Sequence, residues 1–258
     1  MDLDKICYKD TPIKRVIFRL DFLQNVPELN ETLPSAITDL IKTSFPIAEP
    51  KDIMAKQLQI SKDDVKSNNV TSKEWHFHTK ERNATLFIKE DSFAIQIQNY
   101  ISFQEVFKVL MEIKDVFFSH YPKLLCRRMG LRYVNEINLT GETNPLEWDE
   151  YINKDLTYIF KATENPEKII RAFHNLEVRH EEILLKFQYG INNADYPAVI
   201  KKKIFTLDLD ASYSGILKQH EIDDYLKQQH LVIQKQFEFS ITQKLREKFE
   251  LNLAPNGN

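Results

Sequence analysis

Apolar residues at every second position recur along this chain, and this spacing restricts it to folds with several half-buried β-strands. Residues 16–23 alternate in this way, and one of the two resulting faces is mostly apolar. Three further alternating segments follow at residues 75–79, 86–88 and 93–97, separated by short polar turns. Because successive side chains of a strand point to opposite faces, we predict an antiparallel meander with one face to bury.

Helical spacing follows the strands of the first half. Pro34 stands at the first turn of a helix predicted through Ile41, where the missing N–H of proline is not needed. Ser102 is a predicted N-cap with Glu105 three residues later, and the apolar stripe that follows ends before Pro122.

Two weaker features lie between these helices. Residues 54–60 predict a short strand. Residues 61–73 are rich in Lys, Asp, Asn and Ser, which predicts a mobile surface loop.

The second half predicts the same order of elements. They are a strand at residues 124–139, a helix around 145–160, strands near 169–178, 183–189 and 204–210, and a terminal helix over about 219–250. At 1.5 Å per residue the terminal helix would be about 45 Å long. Tyr225, Val232 and Phe239 widen its apolar surface, which predicts either deep burial or a homodimer contact through this C-terminal helix.

Matching offsets indicate an internal duplication. Residues 18–20 align with residues 131–133 at an offset of 113, and residues 93–98 align with residues 205–210 at an offset of 112. Chance similarity between alternating strands is the alternative explanation.

The predicted fold class is therefore α+β. Two related strand-helix-multistrand-helix units, residues 1–122 and 123–258, would form one compact domain. Each unit has one clear apolar sheet face, so we expect the antiparallel sheets to join edge to edge and to pack against the long helices.

Composition excludes several classes of protein. A formal net charge of -3 over 258 residues provides no general attraction for nucleic acid, and five glycines are too few for loops that cradle phosphates. Cys7 and Cys126 lack the spacing of a disulfide framework or a redox motif, which indicates a reducing compartment. Neither a signal peptide nor an apolar run of about 20 residues is seen. We expect a cytoplasmic protein that does not contact a membrane.

The strongest candidate for a ligand-binding site is the strand around Gly130. Arg128, Gly130 and Arg132 share one strand face, while Asn135 intrudes on the other, mostly apolar face. Two arginines beside a glycine can hold a carboxylate or phosphate through forked hydrogen bonds, with the glycine leaving room for close approach. The alternative is an intramolecular ion-pair network on a solvated sheet face.

Paired carboxylates occur on a later strand. Asp208 and Asp210 share a face and are candidates either for a divalent metal or for pairing with Arg128 and Arg132 across the sheet. No further oxygen ligands are evident, so we predict no metal and no cofactor.

Histidines complete the candidate residues. His76 and His78 project together from one strand, but zinc needs a third ligand, so solvent-facing histidines are the simpler interpretation. His230 lies on the apolar side of the terminal helix, which predicts a hydrogen-bonded core histidine.

Three segments together resemble an uncharacterised, sporadically distributed family of bacterial and archaeal proteins of similar length. They are the RxGLRYxN strand at residues 128–135, the LDxD strand at 207–210 and the FxxxIT helix segment at 237–242. Residues 18–22 and 100–102 fit the same pattern. The resemblance implies a prokaryotic cytoplasmic protein, and it transfers no catalytic residues.

These observations favour a non-enzymatic binding or interaction module, either a sensor of an anionic ligand or an accessory subunit of a prokaryotic multi-protein system. The candidate ligand-binding residues are Arg128, Gly130, Arg132, Asn135, Asp208 and Asp210. One alternative is a metal-dependent enzyme acting on phosphate-containing substrates. Another is a nucleic-acid-binding protein, which requires the arginines to cluster with Lys201, Lys202 and Lys203.

Overall fold

The computed structural model describes residues 6–60, 65–141 and 144–253 of the chain. Its strands are β1 (Ile6–Tyr8), β2 (Ile13–Phe22), β3 (Ile47–Ile60), β4 (Val65–His78), β5 (Ala84–Lys89), β6 (Ser92–Ile97), β7 (Cys126–Asn138), β8 (Ala172–His180), β9 (Ile183–Ile191), β10 (Ile204–Leu217) and β11 (Leu251–Leu253). Its helices are α1 (Ser35–Ser44), α2 (Phe103–His120), α3 (Lys154–Thr157), α4 (Ile222–Ser240) and α5 (Gln243–Lys248).

The centre of the fold is a nine-stranded antiparallel sheet in the order β3-β4-β5-β6-β2-β7-β10-β9-β8. Strands of the first half occupy one side and strands of the second half the other, and they join where β2 pairs with β7. The predicted α+β class is confirmed. β1 and β11 form a separate two-stranded pair that brings both ends of the described chain together.

One face of the sheet carries the core. The alternating residues Phe18, Phe93 and Leu131 are buried on it, and α2 packs there through Phe117, whose ring stacks on Phe93 at a centroid distance of 5.0 Å. On the same side α4 lies over β10 and β7, where the side-chain amide of Gln229 donates to the carbonyl of Met129. Within the described ranges, no helix covers the opposite face.

The predicted start of α2 is confirmed. The Ser102 hydroxyl accepts the backbone N–H of Glu105 at 3.3 Å, so one of the unpaired N–H groups of the first turn is satisfied.

No helix of the described chain is long and apolar enough to cross a membrane.

The prediction of a loop at residues 61–73 is wrong from Val65 onward. Residues 65–73 belong to β4 and pair along their length with β3, while residues 61–64 lie outside the described chain. Backbone pairing across a hairpin needs no apolar side chains, so a polar composition does not exclude a strand.

The helix predicted around residues 145–160 is also wrong over most of its length. Only the four-residue α3 and a 3-10 turn at Tyr158–Lys161 are helical. The preceding segment is held by local side-chain bonds instead: Oδ1 of the Asn144 side chain accepts the backbone N–H of Leu146, and the Trp148 indole donates to the backbone carbonyl of Pro145.

The terminal helix is interrupted rather than continuous. α4 ends at Ser240, and Ile241 is extended and forms a bridge with Ile152. Thr242 then caps α5 by accepting the N–H of Leu245. A contact with a segment far away in the sequence therefore breaks the helical pattern, and α4 is about 28 Å long instead of about 45 Å.

Gly190 provides a test of how β8 is attached to the sheet. It has φ of +130°, and a Cβ there would overlap the carbonyl oxygen of Ala172. We expect Gly190→Ala to lower the free energy of unfolding by about 2–3 kcal/mol, measured by urea denaturation. Gly141→Ala is the matched control, since Gly141 has φ of +123° but a Cβ there would meet no atom of the described residues within 4 Å apart from its chain neighbours, and it should cost only about 1 kcal/mol. Equal losses would contradict the close approach of β8.

Candidate functional site

The arginine and aspartate strands singled out in the sequence are neighbours in the sheet. β7 lies between β2 and β10, and Arg132 is directly opposite Asp210. We use the name arginine face for seven residues that these three strands carry on the side away from the helices. They are Arg19 and Asp21 of β2, Arg128, Gly130 and Arg132 of β7, and Asp208 and Asp210 of β10.

Arg132 and Asp208 form a two-pronged ion pair. Nε and Nη2 of Arg132 donate to the two carboxylate oxygens of Asp208 at 2.7 and 2.5 Å. Asp208 is only 7% exposed, so the arginine covers it. This hydrogen bonding raises the pKa of the Arg132 guanidinium further above its ordinary value. The interpretation of the cluster as an intramolecular ion-pair network therefore accounts for this pair.

A second pair is built on β2. Nε of Arg19 donates to Oδ1 of Asp21 at 2.7 Å, and Asp21 is 5% exposed. Arg19 also reaches the hydroxyl of Ser92 at 3.4 Å. Thus two carboxylates, one on each side of β7, are each covered by an arginine.

Arg128 is bound far more loosely. The contact of its guanidinium within the described chain is one long hydrogen bond of 3.5 Å from Nη1 to Oδ2 of Asp21. The side chain folds over Gly130, where an added Cβ would lie 3.3 Å from Nη2 of Arg128. Gly130 was predicted to leave room for a ligand, but the space above it is filled by this guanidinium. The glycine therefore allows Arg128 to lie flat on the strand.

Asp210 is the remaining carboxylate of the face. Among the described residues it accepts no direct hydrogen bond, and burial raises the pKa of its carboxyl while nearby Arg128 and Arg132 act to lower it. Lys186 lies directly opposite it on β9. The arginine face thus carries three arginines and three aspartates, and at its border the charge of Lys186 is offset by Glu177 directly opposite it on β8.

Asn135 does not belong to this face. It is 1% exposed on the helix-covered side, where its amide donates to the carbonyl of Leu207 at 3.0 Å. The sequence placed it on the apolar side of the strand but still included it among the candidate ligand residues. The structure separates it from Arg128 and Arg132 by the thickness of the sheet.

In the described part of the chain, no group of three His, Cys, Asp or Glu side chains converges. His76 and His78 are 6.5 Å apart by ring centroid, but His76 contacts Glu74 at 3.0 Å and His78 contacts the hydroxyl of Thr85 at 3.0 Å.

His230 is buried on the other side of the sheet. Its Nδ1 lies 3.1 Å from the Tyr133 hydroxyl, and its ring stacks on Phe103 at a centroid distance of 3.7 Å. Desolvation lowers the pKa of His230 to about 3, so the imidazole is neutral near pH 7. The prediction of a hydrogen-bonded core histidine is confirmed.

Sequence reasoning missed two members of the arginine face, Arg19 and Asp21, and the bordering residue Lys186. Arg19 and Asp21 were visible as polar positions in the first alternating strand, and Lys186 occupies the same kind of position on β9. No local signal shows that these strands border Arg128 and Asp210, because strand order depends on contacts distant in sequence.

In comparisons with known proteins, no family model matches the chain and no curated protein matches it.

Proposed function

We propose that the protein is a non-enzymatic binding module that holds a small anionic ligand on its arginine face. The observation that carries this proposal is the Arg128 guanidinium, which is half-exposed and uses one long hydrogen bond of its five N–H groups. A carboxylate or phosphate at this position would satisfy the remaining donors in the forked geometry that such groups prefer.

The neighbouring ion pairs support this assignment. Asp208 holds Arg132 and Asp21 holds Arg19, so these two arginines are fixed before a ligand arrives. Fixed donors lose less conformational entropy on binding than free side chains.

Isothermal titration calorimetry with inorganic pyrophosphate tests the proposal. We expect binding by the wild type and at least about tenfold weaker binding by Arg128→Gln. Arg127→Gln is the matched control, because it removes the same charge from the neighbouring exposed residue of β7, which lies at a register shift and pairs with neither β2 nor β10. Equal binding by all three proteins, or none by the wild type, would contradict a site at Arg128.

Two other functions are less well supported. In a metal-dependent enzyme, a metal ion held by Asp208 and Asp210 would have to compete with Arg132, which already donates to both carboxylate oxygens of Asp208. A nucleic-acid surface would need Lys201, Lys202 and Lys203 beside the arginines. Ile204, which follows Lys203, pairs with Asn138 of β7. Asn138 is six residues from Arg132, which is about 20 Å along the strand.

The cellular setting is proposed from the family resemblance and the composition. We place the protein in a prokaryotic cytoplasm, as a ligand sensor or an accessory subunit of a multi-protein system. Its arginine face offers hydrogen-bond donors for an anion, and no group of three His, Cys, Asp or Glu side chains that could hold a metal converges among the described residues.

We also propose that residues 1–122 and 123–258 descend from one duplicated unit. Support comes from the junction, where Phe18 pairs with Leu131 at the offset of 113 seen in the sequence. The next strands fit less well: Leu20 pairs with Phe93 and Tyr133 with Leu209, which gives an offset of 116 instead of 112. A duplicated unit would therefore have shifted by four residues in β10.

A further inference from the structure

Strand β8 is an open edge of the sheet. Among the described strands it pairs only with β9, in an uninterrupted register from Ala172 to His180, so no described strand lies beside its outer backbone groups. Most of its side chains are exposed on both faces. Such an edge is a template for another strand.

Two devices that usually protect an edge, a bulge and a proline, are missing from β8, and its charged residues are limited to one carboxylate, Glu177, and one guanidinium, Arg179. Its register with β9 contains no bulge, and its sequence contains no proline and no lysine. The opposite edge, β3, carries both Pro50 and Lys51. Exposed apolar side chains also concentrate at β8 and just before it, namely Ile170, Phe173, Leu176 and Val178. We conclude that β8 is suited to contact rather than to permanent exposure.

We propose that a second copy of this chain pairs with β8 in antiparallel fashion, with Leu176 on the two-fold axis. Residues directly opposite in an antiparallel pair point to the same side, so the helices of both copies lie on one side of a continuous sheet. The paired residues are Leu176 with the partner's Leu176, His174 with the partner's Val178, Phe173 with the partner's Arg179, and Asn175 with the partner's Glu177.

This register is compatible with itself in charge and shape. Arg179 meets an aromatic ring, and Glu177 meets an amide, so no two like charges are opposed. A shift of two residues that placed Glu177 on the axis would oppose two carboxylates. A further shift, with Val178 on the axis, would pair only residues 176–180 of each strand. The proposed register alone pairs all nine residues of β8 without repulsion.

The dimer extends the arginine face without depending on it. Asn175, Glu177 and Arg179 point to the same side as Lys186 and the arginine face, because Glu177 is opposite Lys186. In this proposal the homodimer contact is formed by the edge strand β8 and not, as predicted from the sequence, by the C-terminal helix. On α4, Phe239 is 59% exposed, whereas Tyr225 and Val232 pack partly against the core.

Sedimentation velocity over a range of protein concentrations tests the proposal. A nine-residue strand is about 30 Å long, a small interface for which we expect dissociation in the micromolar range. Leu176→Arg places two like charges together on the axis and should weaken association at least about tenfold. Met54→Arg is the matched control, since Met54 is an exposed apolar residue on the opposite edge strand, and should leave association unchanged.

Cysteine cross-linking tests the register. Under mild oxidation Leu176→Cys should form a covalent dimer faster than Glu177→Cys or Val178→Cys, because only residue 176 meets its own copy. The wild type, with Cys7 and Cys126 elsewhere in the fold, gives the background. A wild type that stays monomeric, an unchanged Leu176→Arg dimer, or faster cross-linking at another position would each overturn the proposal. A monomer would leave the edge for a strand of a different protein.

Discussion

Replacing Phe18 by alanine should lower the free energy of unfolding by about 3–5 kcal/mol, one of the two largest effects expected for this chain. Phe18 is fully buried at the junction of the two half-sheets, opposite Leu131 on β7 and 6.1 Å from the ring of Phe93 by centroid. Alanine would leave a cavity at the place where the first half of the chain contacts the second. Urea denaturation followed by circular dichroism measures the loss.

The neighbouring residue Ile17 is the matched control. It lies on the same strand, points to the opposite, partly exposed face and is opposite Arg132. Ile17→Ala should cost roughly 1 kcal/mol, because less apolar surface leaves the interior. A similar cost for both variants would contradict the assignment of Phe18 to the core side of the junction.

Lowering the pH should destabilise the fold through His230, and this is the second large effect. The pKa of His230 falls to about 3 in the folded chain because burial disfavours the imidazolium, whereas the ordinary value is 6.5. The unfolded chain therefore binds a proton that the folded chain does not. Stability from this group is fully present above pH 6.5 and decreases by about 1.4 kcal/mol per pH unit as the pH falls toward 3.

Comparison of unfolding free energies at pH 6.5 and pH 5 isolates this contribution. The wild type should lose about 2 kcal/mol more than His230→Gln over this interval, since glutamine does not titrate. His120→Gln is the control, because His120 is exposed at the end of α2 and should leave the wild-type pH dependence in place. A parallel pH dependence in the wild type and His230→Gln would show that His230 is not buried in neutral form.

Local patterns in the sequence were sufficient for most of the elements. Alternation around Phe18 and Phe93 predicted two of the strands, and Ser102 with Glu105 predicted the start of α2. These features depend on side chains a few residues apart, so the information is contained in the segment itself. The same holds for the shared face of Arg128 and Arg132, which follows from the two-residue period of a strand.

Contacts between distant segments decided the rest. Ile241 interrupts the terminal helix because it bridges Ile152, and neither residue signals the other in sequence. Residues 65–73 form a strand because their backbone pairs with β3, although their polar composition is typical of a loop.

The candidate site shows the same division. By itself the sequence determined that arginines and aspartates alternate on polar strand faces, because that depends on backbone geometry alone. Only the tertiary structure decided that Arg132 donates to Asp208 and Arg19 to Asp21. It also decided that the Arg128 guanidinium makes a single long hydrogen bond to Asp21. Those outcomes follow from the order and register of β2, β7 and β10, which are set by the pairing of residues 66 to 122 positions apart in the sequence.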